Sequence, residues 1–501
     1  MTYQYYRERW TFLIKKNINK NDLKRLSRQI AHSFLDYYLK DCHYETDYID
    51  LLCEMATFSN DPELNFPGSQ AFFSIIESLC DDFEELQTLT YNKVMSQTIT
   101  YCRKLPSGKS IEDALNSFGL YSSQDLLDRI NKIRTNTIYL PCRKKISKII
   151  ILSRVTIGAD VAITSVIIQR VTNIFPDAEI VLIGSSKLEE IYGSNPNIKI
   201  VKISYSKNKD LLSRLLVWLK VLEIIKSETV LYPVENTILI DPDSRLSQLG
   251  ILPLFPLQNY YFFDSRSDSS LASNKSMSEM TNSWIDKIAG NKSFCYPALW
   301  IRKSFQKRAE KFCRNLKTAG AKKIICVNFG VGNNHRKKIS RNFEEKLLLT
   351  LLKEQQTVII LDKGFGEQEV ADTNLIVNSI KKQGYKVKNF DFKLKQDNET
   401  SYPIVNHGII GIQCKIGEIA ALISNCDEFV GYDSACQHIS AALQTQCITI
   451  FAGSNNMRFI RRWSSFGKGK SSIIHVDTLN DPDSVDAEDI IDRVINIRRI
   501  K

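Results

Sequence analysis

From residue 148 onward, short apolar runs alternate with longer amphipathic stretches. Lys148-Ile149-Ile150-Ile151-Leu152 has the length and character of a strand buried on both faces. Gly158 and Asp160 follow, then a helical stretch over Val161–Phe175, a break at Pro176-Asp177 and a second strand over Ala178–Ile183. Strand, turn, helix, turn and strand make a βαβ unit, which implies a parallel sheet. Strands at Ile198–Ile203 and Thr237–Ile240, with the apolar helix Leu211–Ile225 between them, continue it. A second set begins near Lys322. Its strands are expected at Ile324–Val327, Thr357–Leu361, Tyr385–Asn389, Glu428–Val430 and Cys447–Phe451. Its helices are expected at Phe343–Lys353, Ile416–Asn425, Ala435–Leu443 and Asp489–Ile497. Pro297–Ala319 carries the crossover between the sets.

Residues 1–135 show no β-alternation and read as helical. Asn21 is expected to cap a helix with Leu23, Leu26, Ile30, Phe34 and Tyr38 on one face. Ala71–Leu86 repeats the pattern. Ser122 caps Leu126–Ile133, and Gly119 ends the helix before it. Pro106-Ser107-Gly108-Lys109-Ser110 has phosphate-loop letters but lacks the earlier glycine and the buried strand that such a loop needs. It reads as a loop or helix cap. Arg134–Ser147, polar and basic, is a linker. The expected organisation is a helical domain over 1–135 and two α/β domains over 148–300 and 318–501.

A content of 43% hydrophobic and 25% charged residues excludes a disordered chain. The apolar runs stop short of the ~18–20 residues of a membrane span. The opening MTYQYYRERW has no apolar leader core, so the cytoplasm is the expected compartment. The net charge of +11 favours anionic partners. The basic residues are dispersed and no reader motif occurs, which argues against nucleic acid. Twelve cysteines without a CxxC pair fit buried free thiols.

In parallel α/β sheets ligands bind beyond the carboxyl ends of the strands. That rule selects the loops Arg154–Asp160, Asn328–Lys338, Asp362–Glu369 and Asp433–His438. The second, Asn-Phe-Gly-Val-Gly-Asn-Asn-His-Arg-Lys-Lys, offers backbone amides around Gly330 and the cations Lys337 and Lys338 to a phosphate. In the fourth, Asp433 and Ser434 open a helix whose first amides can hold an anion, and His438 follows one turn later.

Lys415–Ser454, KIGEIAALISNCDEFVGYDSACQHISAALQTQCITIFAGS, resembles the C-terminal signature of the bacterial heptosyltransferases, glycosyltransferase family 9. Leu152–Ile180 resembles that family's N-terminal signature, in which a Gly-Asp pair leads into an apolar helix; here the pair is Gly158-Ala159-Asp160. Gly364-Phe365-Gly366-Glu367 is similar to its glycine-Glu turn. The resemblance spans about 148–480 and leaves 1–135 uncovered. It implies two Rossmann-like domains facing a cleft (GT-B), with a nucleotide-sugar on the C-terminal domain and a glycan or protein acceptor on the other.

It further implies an inverting, metal-independent transfer without a cofactor. Asp160 would be the base, and Lys337, Lys338 and the 434–438 helix start would hold the leaving diphosphate. Asp241 and Asp243 of Asp241-Pro242-Asp243, with Arg245 two residues on, are expected acceptor contacts. The competing expectation is a non-catalytic protein of this fold that binds a partner through its helical domain; in either case that domain is expected to recruit a protein acceptor, support oligomerisation or dock on a membrane.

Overall fold

The computed structural model describes residues 2–15, 19–41, 43–73, 83–141, 145–205, 210–267, 274–332, 334–392, 402, 405–480 and 485–499. They form helices up to Thr135 and two separate sheets beyond it. The first sheet holds β1 (Lys148–Leu152), β2 (Glu179–Gly184), β3 (Ile198–Lys202), β4 (Thr237–Asp241) and β5 (Tyr260–Phe262), in the order β3-β2-β1-β4-β5. The second holds β6 (Lys323–Asn328), β7 (Thr357–Asp362), β8 (Val387–Asp391), β9 (Gly408–Gln413), β10 (Glu428–Tyr432), β11 (Gln446–Phe451) and β12 (Ser471–His475). Its order is β12-β11-β10-β6-β7-β9-β8, and all six adjacent pairs are parallel. Two parallel α/β sheets behind a helical region are the architecture expected from the alternation.

Contacts divide the chain into two compact units. One comprises 1–155, 177–185 and 201–273; the other comprises 156–176, 186–200 and 274–501. In the first unit the helices and the sheet share one core. Trp10, Leu26, Phe34, Leu52 and Ile99 from the helices join Ile150 and Leu152 of β1, Val181 and Ile183 of β2 and Leu239 of β4. Burying each such side chain is worth about 1.5–3 kcal/mol. The helix Leu211–Thr229 belongs to this core, with Leu211, Leu215, Trp218 and Val221 buried and the Trp218 Nε1 donating to Pro253 O at 2.7 Å. It is a packing helix of this core. Among the described residues no helix is long and apolar enough to cross a membrane.

Local chemistry accounts for most boundaries. Ser122 and Asp125 form a capping box at the start of Ser123–Thr135, and Gly119, at φ +72°, ends the helix before it. Pro106–Gly108 is a 3₁₀ turn running straight into Lys109–Ser117, so the phosphate-loop letters form a bend between helices. The second helix begins at Lys20, and Asn19 Oδ1, not Asn21, accepts an opening amide, that of Asn21. Most of the helix expected over Ala71–Leu86 lies outside the described residues; Glu85–Arg103 starts at its end. The described cysteines are free, and all but half-buried Cys295 are buried.

Candidate functional site

In a doubly wound sheet a ligand crevice opens where two neighbouring strands send the chain to opposite sides. In the second sheet that point lies between β6 and β10. Asn328 ends β6; its Nδ2 donates to Asp362 Oδ2 at the end of β7 (2.7 Å), and its Oδ1 accepts from the Ser434 hydroxyl after β10 (3.4 Å). One amide side chain therefore ties three strand ends together. Ser434 is the extended residue before the helix Ala435–Ala442, and its side chain does not cap that helix. The first amides of a helix have no partners within it.

Asp433 accepts from Lys337 Nζ and from Gln437 Nε2 one turn along. Lys337 Nζ also lies 5.7 Å from the centre of the Phe459 ring. His438, on the same helix, is buried and meets Trp463 edge to face at 6.0 Å. Burial drives its pKa down to about 4, helped by the positive charge of Lys337 and opposed by Asp433. The ring is therefore neutral at pH 7, able to donate one hydrogen bond and accept another.

The residues after β6 do not all converge as the sequence predicts. Lys338 turns to Asp372 Oδ2, 3.1 Å away on the helix Glu367–Lys382, while its neighbour Lys337 turns to Asp433. The amide cradle around Gly330 holds a side chain of the protein itself. Glu369 Oε1 accepts from the amides of Val331 (2.9 Å) and Gly332 (2.7 Å), and Oε2 accepts from the Phe365 amide (2.7 Å). A Cβ on Gly364, which has φ +77°, would lie 2.4 Å from that carboxylate, and one on Gly330 would lie 3.0 Å from it. These glycines keep the cradle open around the carboxylate. Glu369 was not predicted. Its signal was an acidic residue in the first turn of a helix that follows a glycine pair.

Asp160 lies in the same unit as this crevice. It opens a π-helical turn, Asp160–Thr164, between the short helix Ile157–Ala159 and the helix Ser165–Ile174. Its carboxylate is buried and accepts from the Thr164 hydroxyl at 2.9 Å. Its backbone carbonyl accepts from the Tyr192 hydroxyl at 2.7 Å. Two residues earlier, Gly158 packs on the start of the helix Ala435–Ala442. A Cβ there would meet His438 Cδ2 at 3.1 Å and Ala435 Cα at 3.3 Å. The Gly158–Asp160 motif and the Asp433–His438 motif, about 275 residues apart in sequence, thus form one neighbourhood.

Asp241 and Arg245 lie in the other unit, at the corresponding point of the first sheet, between β1 and β4. Asp241 is fully buried, accepting from the Ser244 amide (2.7 Å) and the Tyr260 hydroxyl, and burial raises its pKa to about 6. Its neighbour Asp243 pairs with Arg154 (3.3 Å) and Arg266 (3.1 Å). Burial lowers the Arg245 pKa to about 10, with the Arg266 charge adding to it. The Asp241 carboxylate is built into its own loop, bonded to the Ser244 amide and the Tyr260 hydroxyl.

The comparison with known families turns on the stretch from the end of the helix Glu367–Lys382 to just beyond β12. Residues 378–483 match the model of glycosyltransferase family 9 (heptosyltransferase). This segment is similar to family 9. It includes Asp433, Ser434 and His438, whereas Asp160, Gly330, Lys337 and Lys338 lie before it. Solved structures similar to the chain include the glycosyl transferase family 9 from Veillonella parvula, at 15% identity and TM-score 0.48 over 72% of this chain and 93% of that one. They also include the E. coli ADP-heptose LPS heptosyltransferase II, at 11% identity and TM-score 0.46 over 70% and 98%, and E. coli heptosyltransferase WaaC with ADP, at 12% identity and TM-score 0.43 over 70% and 99%. No curated protein matches the chain in sequence. Among the described residues no group of three or more His, Cys, Asp or Glu side chains is arranged to hold a metal ion.

Proposed function

We propose that this protein is an inverting glycosyltransferase that works without a metal, moving a sugar from a nucleotide-sugar to a hydroxyl of a glycan or protein side chain. The observation that carries the reading is the packing of Gly158 on Ala435 and His438. It supports a site in which the turn that opens with Asp160 lies against a helix whose start is flanked by Lys337 and a neutral histidine. Inversion needs that pair of functions. One group removes the acceptor proton while the sugar–oxygen bond to the diphosphate breaks on the other face, and the departing charge needs donors and cations. Asp160 takes the proton. The amides after Ser434, the Lys337 ammonium and the His438 ring receive the diphosphate. Lys337 then exchanges some of its contact with Asp433 for phosphate oxygens.

The test is Asp160→Asn. It is expected to lower transfer by ~10²–10⁴, the usual scale for a general base. Calorimetric titration of the folded variant with ADP, GDP and UDP should return the wild-type affinity for whichever nucleotide binds. Transfer at the wild-type rate in this variant would remove Asp160 from the chemistry. Failure of all three nucleotides to bind the wild-type protein would remove the donor site.

A further inference from the structure

Threonines inside helices usually turn their hydroxyl back onto the carbonyl four residues earlier. Many threonines of this protein follow the habit. Thr57, Thr90, Thr98, Thr100, Thr172 and Thr281 each donate to the i−4 carbonyl at 2.7–2.8 Å. Thr164 does not. Its hydroxyl donates to the carboxylate of residue i−4, Asp160 Oδ1, at 2.9 Å.

The reason lies in the π turn. A carbonyl oxygen has two lone pairs, and both of those on Asp160 O are used. One accepts the Ser165 amide, the i→i+5 bond that closes the π turn. The other accepts the Tyr192 hydroxyl at 2.7 Å, from a side chain wholly buried beside Trp300. With its customary acceptor filled, the Thr164 hydroxyl is left to the carboxylate. The turn also holds one residue more than an α turn. Ala159 is the residue by which Gly158-Ala159-Asp160 exceeds the Gly-Asp pair it resembles.

We propose that Thr164 is a positioning residue that fixes the orientation of the Asp160 carboxylate, and that Tyr192 keeps it in that role by occupying the Asp160 carbonyl. The inference rests on the reading of Asp160 as the base. Thr164 need not touch substrate. Its hydroxyl holds the carboxylate in one rotamer inside a buried turn, and misplacement of a reacting group by about 1 Å can cost ~100-fold in rate.

Crystal structures and rates of Thr164→Val, Thr164→Ser and Tyr192→Phe test it. Valine keeps the shape of threonine and loses the donor; serine keeps the donor and loses the methyl. In Thr164→Val the carboxylate should turn. Release of nucleoside diphosphate from ADP-heptose, GDP-mannose or UDP-glucose should fall about 10- to 100-fold with nucleotide affinity unchanged. Thr164→Ser should restore both. In Tyr192→Phe the Thr164 hydroxyl should swing back to the vacated carbonyl, and the rate should fall in the same direction. A carboxylate that stays within about 0.5 Å of its place in Thr164→Val, or a serine variant as impaired as the valine one, overturns the proposal. The crystal structures decide even where none of the three donors turns over. If Asp160→Asn keeps the full rate while Thr164→Val still turns the carboxylate, the base assignment fails and the positioning claim stands.

Discussion

The two sheets reverse direction at equivalent points, between β1 and β4 and between β6 and β10, yet their strand ends are furnished in opposite ways. At the first, the charges neutralise one another and are sealed in. Asp243 holds Arg154 and Arg266, Arg154 also donates to Pro242 O (2.7 Å) and Ser265 Oγ (3.0 Å), and Ser244 Oγ donates to Ser153 O (2.5 Å). At the second, Lys337 is only partly buried and its partner Asp433 is shared with Gln437. The helix start after Ser434 is left without a side-chain cap. Topology says where a ligand site can form. It becomes one only where the polar groups can exchange their internal partners for a ligand.

The largest effect should come from breaking the sealed end. Asp243→Ala leaves the buried Arg266 guanidinium, and the less buried Arg154, without their carboxylate. Removing one partner of a buried ion pair costs about 3–5 kcal/mol. Asp433→Ala frees a lysine that water can reach but also takes an acceptor from the buried Gln437 amide, and should cost about 1–3 kcal/mol. Urea unfolding of both variants measures the contrast. Equal losses would mean that the two strand ends are built alike.

The same contrast has an opposite sign in acid. His438 has a folded pKa of about 4 against about 6.5 unfolded, so only the unfolded chain takes up a proton between those values. Its contribution is full above pH ~6.5 and is lost as pH falls to about 4, an effect of about 3 kcal/mol. Asp241 has a folded pKa of about 6 against 3.8, so the folded chain keeps the proton longer. Its contribution is full below about 3.8 and is lost as pH rises through about 6. In the wild type the slopes oppose each other between about pH 4 and 6. His438→Gln should make the protein more stable at pH 4.5 than at pH 6, and Asp241→Asn should make it less stable at pH 4.5. Thermal unfolding at the two pH values reads both, and parallel slopes in the two variants would sink the assignment.

The inner strands were legible because a strand buried on both faces is a continuous apolar run. β1 coincides with its expected span, and β6, β7, β10 and β11 fall within about two residues of theirs. β5, β9 and β12 were not. Tyr260–Phe262 is three residues long, and Gly408–Gln413 and Ser471–His475 begin with glycine or serine, so none carries a run long enough to separate strand from loop. In the site, the residue types after Asp433 and around Gly330 were legible, but their partners do not follow from spacing. The Lys337–Asp433 contact joins residues 96 apart, Glu369 reaches the amides of a loop 37 and 38 residues earlier, and Gly158 meets a helix beginning at Ala435. The π turn is equally hidden, since nothing in the letters Asp160–Thr164 distinguishes it from an α turn.

The smallest difference separates two adjacent lysines and tests whether the partner, more than the residue type, decides what is available to a ligand. Lys337 lies against the helix start and Lys338 is held by Asp372 on another helix. A charge-assisted hydrogen bond is worth about 1.5–3 kcal/mol, so Lys337→Ala should weaken binding of the preferred nucleoside diphosphate about 10- to 100-fold. Lys338→Ala removes a partly buried pair that points away from the helix start, worth about 1 kcal/mol, and should change affinity no more than about fivefold. Because Lys337 remains reachable by water, its share of the affinity should shrink as salt is raised and the Debye length falls from ~10 Å at 0.1 M towards ~3 Å at 1 M. The Lys338→Ala titrations should keep the wild-type salt slope, and those of Lys337→Ala should be flatter. Equal losses from the two lysines would restore the convergence on one diphosphate that the basic run in the sequence suggests. A loss from Lys338 alone would move the anion away from Asp433 and towards Asp372.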